Sequence, residues 1–359
     1  MKRKLLVLIW IVILAGCGQT RIVDDVNLVQ VAAFDAASDK KFTGKFIVAT
    51  YKQNGDIEIE IFSATGQTSD QVLARASNKS PRPLVIGQLR VVIFGEKLAK
   101  KGLKEILDTL DRVPNVGNLV YVSVADKKLD AILKSKYPAE GELVSYLSSL
   151  IEQEMDKGLQ PHSNLFLFLK AFYDKTSDPY MPFITKTGND IDLKEVALFR
   201  RDKFVGTVTS KEMFIFKILA DKYEYGEYEF QVQDKNRSYI GLRNIKSKTK
   251  YSLVDNSNHP FIQVNINING KVQEFTKEKN LENPKTVEKI EDAMEKSIKK
   301  QAIQLIRKFQ KKHIDPLGLG KVYRSHTRDW NEKKWYELYP NVMVKVNVDA
   351  EIIQSGVVE

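Results

Sequence analysis

Four histidines, His162, His259, His313 and His326, and one cysteine, Cys17, are the chain's whole stock of imidazole and thiolate metal ligands. No two of the histidines stand three or four residues apart, so no helix can present a pair on one face, and the HExxH pattern is absent. A lone cysteine excludes an internal disulfide and any cysteine-built zinc or iron–sulfur cage. No GxSxG elbow is present for acyl transfer. The run Gly318-Leu319-Gly320-Lys321 resembles a short phosphate loop, but it follows a helical segment and has no Ser or Thr after the lysine. With Pro316 just before it, the run reads better as a helix stop. Asp24-Asp25 and Asp190 with Asp192 could pair as glycosidase carboxylates, yet short acids in loops are first of all solvated. Trp330, Trp335, Tyr336 and Tyr339 could form a sugar or membrane platform, or a plug over the C-terminal sheet and helix, and the plug is the simpler use of large apolar rings. Arg200-Arg201 reads as a hairpin tip. These residues assign no catalytic group, metal or cofactor, and the expectation is a protein that is not an enzyme.

The cysteine has a context of its own. Lys2, Arg3 and Lys4 precede an apolar stretch over residues 5–14, the length of a signal-peptide core and too short to span a bilayer. Leu14-Ala15-Gly16-Cys17 follows and resembles a bacterial lipobox. That resemblance implies cleavage between Gly16 and Cys17, a diacylglyceryl group on the Cys17 sulfur, and N-acylation of the new amino terminus as an option. Residues 1–16 would then be a signal peptide and 17–25 a lipidated tether. Each buried CH₂ contributes about 0.8 kcal/mol, and two acyl chains hold where one does not.

The 359 residues suffice for two or three domains, and 43% hydrophobic with 28% charged residues is the make-up of a globular chain. The net charge of +10 falls to +7 without residues 1–16, which suits an anionic membrane and is too dispersed for nucleic acid. Alternation predicts strands over 26–34, 45–52 and 57–62, the last two joined through Asn54-Gly55. A helix capped by Ser69, a strand within 84–94, a helix over 103–110, a strand over 119–124 and a short helix over 129–133 continue the alternation. Helices over 142–157 and 165–173, the latter stopped by Asp178-Pro179, lead to a hairpin over 196–209 and a helix over 211–223. Strands over 227–232, 239–254 and 261–267 follow, with Gly270 expected to turn the chain so that 271–275 pairs back. Asn283 and Pro284 open a long helix over 284–314, and a Val-rich strand over 342–353 closes the chain against the 225–275 strands. The fold class is α+β, multi-domain, with mixed β-sheets flanked by α-helices after an N-terminal lipoprotein signal peptide. An N-terminal α/β region over 26–195 and a C-terminal α+β region over 196–359 are expected, the second divisible into two subdomains.

Four stretches together resemble the Ger(x)C family, the lipoprotein C subunits of nutrient germinant receptors. They are the lipobox followed by Val31-Ala32-Ala33-Phe34-Asp35; Arg75 to Ser77 through Arg82-Pro83 to Phe94-Gly95-Glu96-Lys97 and the Leu110-Asp111-Arg112 helix end; Val196 to Phe199 through Phe204-Val205-Gly206; and the long basic helix with Asp315 to Gly320, Trp330, Trp335 and the final Val-rich strand. Gly18-Gln19 stand where members often carry an aromatic and an acid. The resemblance implies three α/β domains, no known active site, and two integral membrane subunits as partners at the outer face of the inner spore membrane. It also implies a role in the response to nutrients, whether this subunit touches them or not, and no nucleic acid. The competing reading is a solute-binding lipoprotein of a transporter, which requires two similar lobes about a hinge. Replacing the anchor residue tests the first step: Cys17→Ala is expected to abolish incorporation of radiolabelled palmitate and to leave the uncleaved precursor.

Overall fold

The computed structural model describes residues 25–38, 40–51, 57–126, 129–135, 143–188, 190–221, 223–231, 239–254, 260–275 and 283–353. Gly16, Cys17, Asp24, the Asn54-Gly55 turn and His259 lie outside the described residues.

Chain order begins with β1 (Asn27–Ala36), β2 (Phe42–Tyr51), β3 (Ile57–Gly66), α1 (Ser69–Ser77), β4 (Leu84–Val85), β5 (Val91–Gly95), α2 (Glu96–Lys101), α3 (Lys104–Arg112) and β6 (Tyr121–Ala125). It continues through α4 (Leu129–Lys134), α5 (Leu143–Asp156), α6 (Leu165–Asp174), β7 (Tyr180–Thr187), β8 (Asp190–Arg200) and β9 (Lys203–Val208). These strands form one mixed sheet in the order β3-β2-β1-β5-β6-β7-β8-β9, with β4 beside the start of β1. Strands β1, β5, β6 and β7 run parallel, which needs a helical crossover between each pair and buries both sheet faces. Alternate residues of β5 accordingly serve two cores. Val92 and Phe94 pack with Val72, Ile106 and Phe168, whereas Val91 and Ile93 pack with Ile132, Leu147 and Ile151.

The second unit comprises α7 (Ser210–Ala220), β10 (Tyr223–Gln231), β11 (Tyr239–Val254), β12 (Phe261–Phe275), α8 (Pro284–Lys311), α9 (Leu319–Ser325), α10 (Glu332–Leu338), a 3₁₀ turn and β13 (Met343–Ile352). Its sheet runs β10-β11-β12-β13, and β13 joins parallel to β12. As expected, Asn283 caps α8 through its side chain with Pro284 in the first turn. Ile290, Met294, Ile298, Leu305 and Phe309 form the buried stripe, with Val287 half-buried at its start. On its flank, Glu291 and Glu295 accept hydrogen bonds from the backbone N–H groups of Ile352 (2.9 Å) and Ala350 (3.1 Å). These carboxylates cover the open edge of the last strand, a place where unpaired amides invite foreign strands.

Four features differ from the sequence expectations. Gly270 does not turn the chain: β12 passes straight through it, paired with β11 on one side and β13 on the other. The irregularity lies across from it, where the register jumps between Arg243 and Lys246 and Asn244 takes φ 52°. A Cβ on Gly270 would stand 3.2 Å from Ile245 Cγ1, so the glycine admits a bulge on its neighbour. Strand β7 has no counterpart among the expectations, because Pro182 masks its apolar pattern. Helix α2 is separated from α3 by Gly102, at φ 126°, where the single expected helix begins. The expected division at 195/196 falls inside β8, whose hairpin with β9 completes the first sheet. Smaller shifts are that Thr209 rather than Ser210 caps α7, in a capping box with Glu212, and that α8 ends at Lys311. Among the described residues no helix is long and apolar enough to cross a membrane.

Leu305 is 2% exposed, facing the second core. Leu305→Asp is expected to lower stability by about 3 kcal/mol or more, as an uncompensated buried charge does. Lys300→Asp, on the wet side of the same helix, is expected to stay within roughly 0.5 kcal/mol. Urea unfolding of both variants makes the comparison.

Candidate functional site

The segment 175–179 leaves α6 through Lys175, a non-glycine residue at φ 59°, and brings Asp178 into the interior ahead of β7. The Asp178 carboxylate is about 1% exposed and accepts four hydrogen bonds. Oδ1 receives Arg200 Nη1 (3.0 Å) and the backbone N–H of Arg201 (3.1 Å), both from the β8–β9 tip. Oδ2 receives the backbone N–H of Asp315 (2.7 Å) and the hydroxyl of Tyr336 (2.8 Å), both from the second unit. The Asp178 N–H in turn donates to Asp315 O at 2.8 Å, so two loops distant in sequence bind each other twice. The Arg200 guanidinium lies 3.3 Å over the Tyr336 ring. Arg201, at φ 54°, reaches across to grip the Glu332 carboxylate of α10, with Nε to Oε1 at 3.0 Å.

Asp315 is the second buried acid, fully covered. Its Oδ1 takes the N–H of Leu319 (2.9 Å) and its Oδ2 the N–H of Gly320 (2.7 Å). The run that resembles a phosphate loop is therefore filled by the chain's own carboxylate. Gly318 sits at φ 69° to make that turn, and a Cβ on Gly320 would come within 2.7 Å of Thr176 O. Burial pushes the Asp315 carboxyl up to about 7; the Gly320 and Leu319 amides oppose this, and the Asp178 charge adds to it. Beside them, Trp335 and Tyr339 are completely buried, Tyr336 nearly so, and Trp330 packs partly exposed against Trp335. The aromatic group is thus a plug.

A second contact ties the units together nearby. His162 Nδ1 lies 2.6 Å from Asp221 Oδ2, which also receives Lys217 Nζ at 2.9 Å. Burial would raise the Asp221 carboxyl, but the His162 hydrogen bond and the Lys217 charge hold it down to about 2. A shallow cleft of roughly 180 Å³ opens between these contacts, edged by His162, Lys170, Pro179, Leu317 and Lys321. Its one buried acid, Asp178, is fully engaged, and the Ser163 hydroxyl donates to Tyr180 O at 3.1 Å. Among the described residues no three His, Cys, Asp or Glu side chains are placed to hold a metal ion. His326 bonds its own helix, and Asp192 pairs with Lys194 at 3.0 Å. The arrangement positions two units against each other; it is a joint.

Sequence reasoning placed Arg200-Arg201 at a tip correctly but missed what the tip does. Asp178 enters that reading only as half of a helix stop and Asp315 only as part of a family-like stretch, although each acid precedes a proline. An acid in a rigid Asp-Pro dipeptide at a helix end is the available signal, and it was read as a stop alone.

A spore germination protein is what the comparisons describe. The family description "Spore germination protein N-terminal domain" matches residues 19–186, and "Spore germination B3/ GerAC like, C-terminal" matches residues 194–356. The spore germination protein GerQC of Bacillus cereus is 47% identical over 359 residues, covering 100% of both chains. The spore germination protein KC of Bacillus subtilis (strain 168) is 24% identical, over 98% of this chain and 95% of its own. The crystal structure of the GerBC protein has the same fold, with a TM-score of 0.56 at 17% identity over 90% of this chain and 97% of that one. The chain belongs to the Ger(x)C family of spore germination proteins.

The raised carboxyl of Asp315 gives a pH dependence with a definite sign. Between about pH 4 and 7 the native state holds a proton on Asp315 that the unfolded chain has released, so this group's contribution to stability falls as pH rises. Asp315→Asn keeps an acceptor for the loop amides and removes the titration. The melting temperature of the wild type, measured against that of Asp315→Asn, is expected to drop steadily from pH 5 to 7.5.

Proposed function

We propose that the chain is the lipid-anchored, non-enzymatic C subunit of a nutrient germinant receptor. The observation that carries this is the end-to-end match to GerQC at 47% identity, with both halves of the family pattern in order. In this reading Cys17 bears the diacylglyceryl group after cleavage behind Gly16, and the protein sits on the outer face of the inner spore membrane. Its partners are two integral membrane subunits of the same receptor, and the nutrient reaches it directly or through them. A buried joint between unlike units suits a subunit that acts by holding a shape against membrane partners. The transporter alternative calls for two similar lobes, and a mixed sheet of nine strands beside one of four strands speaks against it.

Deleting the gene in a strain without redundant receptors is expected to abolish germination with one set of amino acids, sugars or nucleosides. Germination with a calcium chelate, which bypasses nutrient sensing, is expected to persist. Normal germination with every nutrient would remove the receptor reading.

A further inference from the structure

Because β1, β5 and β6 run parallel, their first residues share one edge of the large sheet. The tether leads into that edge. Asn27 is fastened there, its N–H to Pro83 O at 2.9 Å and its Nδ2 to Ser80 Oγ at 2.7 Å. The adjoining loop 78–90 carries Lys79, Arg82 and Arg90, all exposed, and no acidic residue. Two strands along, about 10 Å away at the usual strand spacing, the loop before β6 presents Leu119. At 78% exposure it is the most exposed large apolar side chain among the described residues. It is held firmly, because the N–H groups of Leu165 and Phe166 bond Val120 O (2.8 Å) and Asn118 O (3.2 Å) on either side of it. Those bonds set Phe166, 49% exposed, at its flank. The opposite edge, where β5 ends, opens instead into Glu96, Lys97, Lys100 and Lys101.

We infer that this edge is the face the protein lays against an anionic lipid bilayer, with Leu119 and Phe166 entering the headgroup boundary and Arg82 and Arg90 meeting lipid phosphates. The inference rests on reading Cys17 as the acylated anchor. From Cys17 to Asp25 are eight residue steps, a reach of roughly 30 Å at full extension. So short a tether keeps the body at the bilayer and brings the edge at its root down first. Apolar side chains flanked by basic ones are the usual equipment of an interfacial surface. Two isolated apolar side chains fall well short of the ~800 Å² per partner that a stable protein interface needs, which favours lipid as the occupant.

The test places a thiol-reactive, polarity-sensitive fluorophore at Leu119→Cys, or at Thr187→Cys on the opposite edge, in the full chain expressed in a bacterium that processes lipoproteins. The purified protein is reconstituted into vesicles of phosphatidylglycerol and phosphatidylethanolamine, with phosphatidylcholine vesicles for comparison. Emission from position 119 is expected to rise several-fold and shift to the blue in anionic vesicles, and less in neutral ones, while position 187 stays as in water. Protein that floats with the vesicles while position 119 still reports water overturns the inference alone. Equal responses at both positions overturn it too, as does a response at 119 that awaits added membrane subunits. Labelling of the wild-type chain at Cys17, or failure to float, overturns the anchor reading and this inference with it.

Discussion

Removing a carboxylate from water is tolerable only when its acceptor sites are filled, and the arrangement around Asp178 is organised by that requirement. Four donors converge on it, two from the β8–β9 tip and two from the second unit. Losing any one leaves part of a buried charge unsatisfied, at a cost of about 1–3 kcal/mol or more. Both units must therefore be present and in register for the acid to be buried at all. The demand extends outward. Asp315, which supplies one donor, is itself buried and takes its own donors from the start of α9, and α10 then places Tyr336 and the ring plug over the pair. Arg201 and the Asp221 contact add ties at the rim of the same joint.

The polar groups between the two units are engaged largely with one another. Catalytic acids have lone pairs turned toward a space where substrate can stand. Here Asp178 faces the β8–β9 tip and the Asp315 loop, Asp315 faces the amides of its own loop, and the cleft beside them is shallow. The positive edge residues and the lysines of α8 are dispersed over the surface, which suits a broad, weakly bound partner better than a single anionic ligand.

Much of the architecture was legible because local signals and tertiary packing agree. Asn283-Pro284 starts α8 where it should, the apolar stripe from Ile290 to Phe309 faces the sheet, and the alternating valines of β13 find β12. Legibility failed where a neighbour decides. Gly270 looks like a turn until strands lie on both sides of it. Pro182 looks like a break, yet β7 accommodates it with β8 antiparallel at its side. The joint was hidden for a related reason. Asp178 and Asp315 are far apart in sequence, and each alone is an ordinary helix-ending acid; only their meeting makes them buried partners.

The parallel placement of β13 also sets an order of events. Strand β12 is made early in the second unit, but its outer edge stays open until α8, α9 and α10 have been synthesised and the last strand arrives. Long-range parallel pairing of this kind is slow, because a large loop must close before any of its hydrogen bonds form. During that interval Val264, Ile266 and Ile268 lie in a strand with an unpaired flank, the kind of surface on which chains aggregate. A chain cut short within the final strand would hold that exposed state permanently, so the second unit's solubility depends on its last-made segment.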